Sequence, residues 1–389
     1  MNTPRRSSPP LRSSEQPRRD PKDMSHTDVE RPGSGHDGSD TTEVSASEAL
    51  LVEPSRLSPT RRALTTVLRS RELSIFLVLV AVVVLATTKN NGFLFSSDGW
   101  RNFLLNPSIL LLLAVGQAVV IITRNVDLSV GSVMALTAYL TGRLFIEQPN
   151  IPIVAVLAAC LLLGAVLGLV NGVLVAYGGV PALVITLGTL YIYRGIMLTW
   201  AGSDRINAGD LPREFLQLGT RSVLGVPLLT ILALVVLAIV GYYLYTARGG
   251  RELYAIGSDP DAAVLYGLPV RRRLLAAFVL SGALAGLAGA LYTARYGTVS
   301  SSVGLGIELQ AVAAAVIGGV AIFGGSGTVW GAAIGAFLLV TINRALPSLG
   351  IEDFWQRAVV GALILGAIVL DRVLAVRQAR KLAESRDHS

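Results

Sequence analysis

From residue 73 onward, stretches of roughly 17 to 24 mostly apolar residues follow one another with little charge between them. A helix rises 1.5 Å per residue, so runs near 20 residues match a hydrocarbon core of ~30 Å. Backbone polar groups in lipid must be satisfied internally, which leaves helices for runs of this length. The pattern therefore predicts an all-α integral membrane protein of about ten transmembrane helices. The predicted spans are 73–88, 107–123, 128–146, 152–176, 182–200, 226–246, 274–295, 308–323, 328–346 and 355–372. The 308–323 run is short and rich in small residues, so partial entry backed by protein is expected there. Only 15% of the 389 residues are charged, against roughly 25% in soluble domains.

Charge is concentrated at the ends. Residues 1–72 read as a disordered cytoplasmic tail, rich in Pro and Ser, closing on a basic amphipathic lead-in at 61–72. No apolar signal-peptide core lies in its first 30 residues. Residues 73–372 form the transmembrane domain, and 373–389 a basic cytoplasmic tail. The net charge of +7 does not point to nucleic acid, because the Arg residues occupy tails and short loops, where they report orientation. Arg56, Arg61, Arg62, Arg69 and Arg71 before the first span, and Arg372, Arg377, Arg380, Lys381 and Arg386 after the last, place both termini inside. An even span count satisfies this, and it puts the 247–273 loop, with Arg271, Arg272 and Arg273, inside as well.

Several chemistries are excluded. None of Lys22, Lys89 or Lys381 stands in GxxxxGK[ST], so no Walker A loop is present. Cys160 is the single cysteine, and His26, His36 and His388 lie in the tails, so no metal, cofactor or enzyme site is expected. Asp127, Glu308, Asp353 and Asp371 fall at span ends, which disfavours a self-contained ion-coupled carrier.

Two polar stretches remain. TRNVDLSVGS (123–132) turns between the second and third spans, and Asp127 is placed to cap the third at the membrane surface. GGRELYAIGSDPDAAVLYGLPVRRR (249–273) reads as a structured element, with Pro260 opening a short helix after Asp259 and Gly267 ending it. Exposed Ala, Val, Leu and Tyr on such a helix require a partner surface or the lipid headgroups. Gly164, Gly168 and Gly172, Gly282 and Gly286, and Gly331 and Gly335 recur every four residues, as in close helix packing. Spans four and nine share this spacing in opposite directions, each with an Asn near its end (Asn171, Asn343), as inverted halves would.

At NVDLSVGS (125–132), LGLVNGVLV (167–175), PALVITLGTLYIYRGI (181–196), GRELYAIGSDPDAAVLYGLPV (250–270) and GGVAIFGGSGTVWGAAIGA (318–336), the chain resembles sugar-importing ABC transporter permeases of the ribose, xylose and rhamnose type. The stretch 342–372 is most similar to rhamnose or autoinducer-2 permeases. The resemblance implies an inverted-repeat importer permease in a bacterial cell membrane. Its partners would be ABC ATPase subunits, an extracytoplasmic sugar-binding protein, and a second permease copy in a homo- or heterodimer. On this resemblance Gly250, Arg251, Ala255, Gly257, Pro260, Ala262 and Ala263 belong to the ATPase-coupling helix. Candidates for a translocation pathway lined by hydroxyl, amide and aromatic groups are Asn125, Asp127, Asn171, Thr186, Thr189 and Tyr193. Arg194 is placed to snorkel or to meet the binding protein. The alternative is a stand-alone secondary carrier or channel for small polar solutes.

Overall fold

A helix that is apolar on every side is buried on every side, and Pro107–Ile122 (PSILLLLAVGQAVVII) is such a helix, with all its residues buried. The computed structural model describes residues 71–351 and scattered positions between 355 and 369. The predicted tails and most of the tenth span lie outside those residues.

In chain order the helices are α1 (Arg71–Lys89), α2 (Gly92–Phe95), α3 (Ser97–Leu105), α4 (Pro107–Ile122), α5 (Val130–Glu147), α6 (Ile153–Gly178), α7 (Ala182–Ala201) and α8 (Arg213–Thr220). After a two-residue hairpin, Ser222–Val223 with Val226–Pro227, come α9 (Leu228–Thr246), α10 (Arg248–Ser258), α11 (Pro260–Leu265), α12 (Val270–Tyr296), α13 (Ile307–Ile317) and α14 (Val329–Ser348).

Among the described residues, seven helical stretches are long and apolar enough to cross a membrane: Glu72–Lys89, Ser97–Ile122, Ile153–Gly178, Ala182–Ala201, Leu228–Thr246, Val270–Tyr296 and Val329–Ser348. The predicted third span appears as α5, outside those seven. The predicted eighth shrinks to the 11 residues of α13, about 16 Å of helix. Its chain dips inward instead. After α12 ends, Val299 pairs with Ile206, and Gly304 then lies against the backbone of Gly131 in the first turn of α5. A glycine-rich loop, 318–328, carries the chain on to α14, whose cap Thr328 accepts from the Gly331 amide at 3.0 Å.

The four-residue glycine spacing sets a close seam between two long helices. A Cβ at Gly164 would overlap the Gly282 carbonyl, and one at Gly282 the Gly164 carbonyl. Backbone thus meets backbone between α6 and α12, and no larger residue can replace these glycines without separating the helices. The outer faces of α6 and α7 stay exposed, with Leu162, Val166, Leu183, Val184 and Tyr191 bare.

Candidate functional site

The 123–129 turn is only partly at the surface: Arg124 is exposed, while Thr123, Asp127 and Ser129 are buried. Asp127 is 1% exposed. Its carboxylate accepts from the Ser129 amide at 3.0 Å, the Ser129 hydroxyl at 2.7 Å and the Ser281 hydroxyl at 3.0 Å. Ser281 sits on α12, roughly 16 Å along that helix from Val270. The expectation that Asp127 caps the third span at the surface is therefore corrected. The residue flanking α5 is Ser129, and Asp127 folds inward because two hydroxyls and an amide there supply the donors a buried carboxylate needs. The ground for excluding buried acids changes with it, since one acid does lie inside the bundle.

Around this carboxylate four helices converge. Asn171 on α6 donates to the Ser129 hydroxyl at 2.8 Å. Thr186 on α7 donates to the Val126 carbonyl at 3.1 Å. Gln117 on α4 donates to the Asp127 carbonyl and, at 3.4 Å, accepts from the Asp127 amide. The carbonyl oxygen of the Asn171 side chain is buried without a protein partner. Three of the predicted pathway residues, Asp127, Asn171 and Thr186, thus meet at one polar node. Thr189 bonds only to its own helix, at the Thr186 carbonyl, 3.3 Å. Tyr193 is buried and donates to the Leu167 carbonyl at 3.0 Å, across to α6. Asn125 is half-buried and donates to the Thr123 carbonyl at 2.7 Å. Arg194 neither snorkels nor faces outward; it is buried and donates to the Val303 carbonyl at 2.6 Å, under the inward-dipping loop.

Gln117, Ser129 and Ser281 were not singled out by the sequence. Gln117 carried a signal, as the lone amide in an otherwise apolar helix. Ser281 carried none that separates it from the small residues around it.

The second polar stretch folds as two helices at one end of the bundle. α10 is amphipathic and lies against the bundle, fastened by Glu252, which bonds Arg248 at 2.8 Å and Arg273, at the start of α12, at 2.5 Å. The neighbouring guanidiniums, Arg273 first, hold the Glu252 carboxyl below its usual range against the opposing effect of burial. Asp259 accepts from the Asp261 and Ala262 amides at 3.1 and 3.0 Å and opens α11, with Pro260 in its first turn.

The predicted coupling residues divide by burial into three groups. Gly250, Gly257 and Ala263 are buried; a Cβ at Gly257 would overlap the Ile122 carbonyl. Pro260 and Ala262 are half-buried, while Ala255 and Arg251 are exposed, Arg251 donating to the Thr246 carbonyl at 2.7 Å. What the short helix presents outward is Val264, Leu265 and Tyr266, at 63, 87 and 85% exposure.

The model of the family described as branched-chain amino acid transport system / permease component matches residues 100–368, more than half of the chain. The autoinducer 2 import system permease protein of Escherichia coli (strain K12 / DH10B) is 37% identical over 313 residues, covering 80% of this chain and 90% of that protein. The same-named protein of Enterobacter sp. (strain 638) is 37% identical over 324 residues, 82% and 93% of the two chains. The D-allose transport system permease protein of Escherichia coli (strain K12) is 32% identical over 300 residues, 77% and 91%. No solved structure matches the chain.

Proposed function

The chain belongs to the branched-chain amino acid transport system / permease component family, and from that premise we propose that it is the membrane-spanning subunit of an ATP-driven importer of a small polyhydroxylated solute. The cargo class rests on the relatives, which are named for autoinducer 2 and D-allose import. Separate ATPase subunits supply the energy, an extracytoplasmic binding protein delivers the solute, and a second permease copy completes the pathway. Both termini and the α10–α11 end face the cytoplasm, as the basic clusters argue.

The observation that carries this reading is the face of α11. Three large apolar side chains stand in the open on a helix that is capped at Asp259 and braced through α10. A chain without a nucleotide-binding motif takes up ATP energy only through such a contact. ATP-driven closure of the ATPase pair then biases the permease between its two openings, by as much as the ATPase distinguishes them.

The buried Asp127 keeps a second reading in view, a stand-alone carrier coupled to an ion gradient. Purification with the neighbouring gene products, followed by binding-protein-dependent ATP hydrolysis across a monosaccharide panel, separates the two. Stimulated hydrolysis supports the importer. Uptake that persists without any ATPase subunit and collapses with the proton or sodium gradient supports the carrier.

A further inference from the structure

Among the described residues, two that are not glycine have a positive φ, Arg124 at 64° and Leu224 at 51°. Leu224 sits with Gly225 in a two-residue hairpin turn, where positive φ is what the turn geometry demands. Arg124 follows the last turn of α4, where helices commonly turn left-handed: its amide donates to the Ile121 carbonyl at 2.9 Å and the Asn125 amide to the Val120 carbonyl at 3.3 Å. Glycine usually fills that position because a Cβ is disfavoured there, so what sets this arginine apart is where its side chain goes.

The surroundings here are three chain segments drawn together at the end of the bundle that carries α11. The Gly325 amide donates to the Ile122 carbonyl at 2.9 Å. Arg124 Nε donates to the Gly257 carbonyl at 2.6 Å, and its Nη2 to the Ser258 carbonyl. Gly257 and Ser258 are the last residues of α10, so the guanidinium caps that helix at its negative end. Gly257 and Gly324 leave no room for side chains, since a Cβ on either would overlap Ile122 or Arg124. The next residue after Ser258 is Asp259, the cap of α11. Arg124 therefore grips the joint between the braced helix α10 and the exposed helix α11.

Three residues further on, the same turn is anchored inside. Val126 receives Thr186 of α7, and Asp127 receives Ser281 of α12. Ser129 receives Asn171 of α6. We propose that Arg124 is a positioning residue that couples α11 to the membrane-spanning helices, carrying displacement of the α10–α11 joint into the 125–129 turn and so into α6, α7 and α12. This rests on the reading of α11 as the ATPase contact.

Arg124→Gly tests it. Glycine occupies φ of 64° freely, so the variant removes the guanidinium while relieving the backbone, and the fold should be no less stable. The full complex with its ATPase subunits is placed in nanodiscs. Cysteines are introduced one at a time at the exposed loop positions Asp204, Ser301 and Leu305; the native Cys160 is buried. Maleimide labelling rates are compared with and without ATP plus orthovanadate.

The wild type should change its labelling rate at one or more positions on trapping. Arg124→Gly should keep its melting temperature, ATPase co-purification and basal hydrolysis, yet label at the nucleotide-free rate whether or not it is trapped. Arg124→Lys, which can still reach one of the two carbonyls, should recover part of the response. A full wild-type response in Arg124→Gly overturns the proposal. So does a lowered melting temperature or loss of the ATPase, which would make the guanidinium a brace of the fold alone. A wild type that never responds to trapping, with its ATPase bound, overturns instead the reading of α11 on which the proposal rests.

Discussion

Two segments joined through Arg124 treat their side chains in opposite ways. In the 123–129 turn a carboxylate is drawn out of water and wrapped by hydroxyls and an amide. In the 259–268 turn Val264, Leu265 and Tyr266 are pushed into water with nothing over them. Each is costly in isolation, and the costs differ in what relieves them. A buried polar group is settled by partners within the chain. An exposed apolar cluster on a rigid mount is settled only by something from outside. The first turn ties helices of the bundle to one another, and on the proposed function the second is the face that the ATPase covers.

The largest effect should come from forcing the two turns apart. In Gly257→Leu the new side chain enters the space of the Ile122 carbonyl and the Gly325 amide, which belong to backbone and cannot give way. Overpacking of this kind costs about 3 kcal/mol or more. The variant should fail to accumulate in the membrane, as seen by immunoblot of membrane fractions, whereas Gly178→Leu, with open space around it, should accumulate normally.

Next is the holding role of Asp127. Asp127→Ala strands the Ser129 amide and removes the partner of two buried hydroxyls, at about 2 kcal/mol in all, read as a lowered melting temperature in detergent. Asp127→Asn keeps an acceptor for Ser129, and Ser281 can turn its hydroxyl to accept, so the loss should be under about 1 kcal/mol with uptake retained. Uptake abolished in a stably folded Asp127→Asn protein would show that the turn handles a charge as well as holding the helices.

The opposite signature belongs to the second turn. Leu265→Asp combined with Tyr266→Ser should leave melting unchanged to within about 0.5 kcal/mol, because both side chains are exposed. Affinity for the ATPase subunits should fall about tenfold or more, the loss of a small apolar hot spot. Equal loss of stability and affinity would erase the distinction between the turns.

Much of this fold was legible because periodic apolar runs have few alternatives in lipid. The α11 start was legible for a similar reason: Asp259 and Pro260 have fixed meanings at a helix N-terminus. The dipping chain before α13 was visible only as a short run. The polar node was half visible. Asn171 and Thr186 stood out as polar groups in apolar helices, but that both reach the 126–129 turn was hidden because hydrogen bonds across 42 and 60 residues leave no local pattern. Asp127 was misplaced for a physical reason. An acid before an apolar run fits a surface cap, and only the donors on α12 make burial tolerable. Packing turns Ala263 inward and Leu265 out, a division that position along a six-residue helix does not reveal.

The smallest expected effect concerns the brace that lets the second turn stand out from the bundle. Glu252 ties α10 to α12 through Arg273, with Arg248 alongside, and the guanidiniums hold its carboxyl below the ordinary value. A carboxyl whose folded pKa lies below its unfolded value, about 4.3 for Glu, contributes stability that is complete above the unfolded value. That contribution is lost as pH falls through the folded one. Arg248 is 83% exposed and contributes little. Glu252→Gln removes the charge at every pH, so it should melt slightly below wild type at pH 7, and the gap should narrow steadily below about pH 4.3. Other acids titrate in the same window in both proteins, so the difference between the two melting curves isolates this carboxyl. The variant should also weaken ATPase retention slightly at neutral pH, since α11 is mounted on α10. A gap that stays constant from pH 7 down to about pH 3 would mean that the ion pair does not brace the loop, and α11 would owe its position to the Asp259 cap and the Gly257 packing alone.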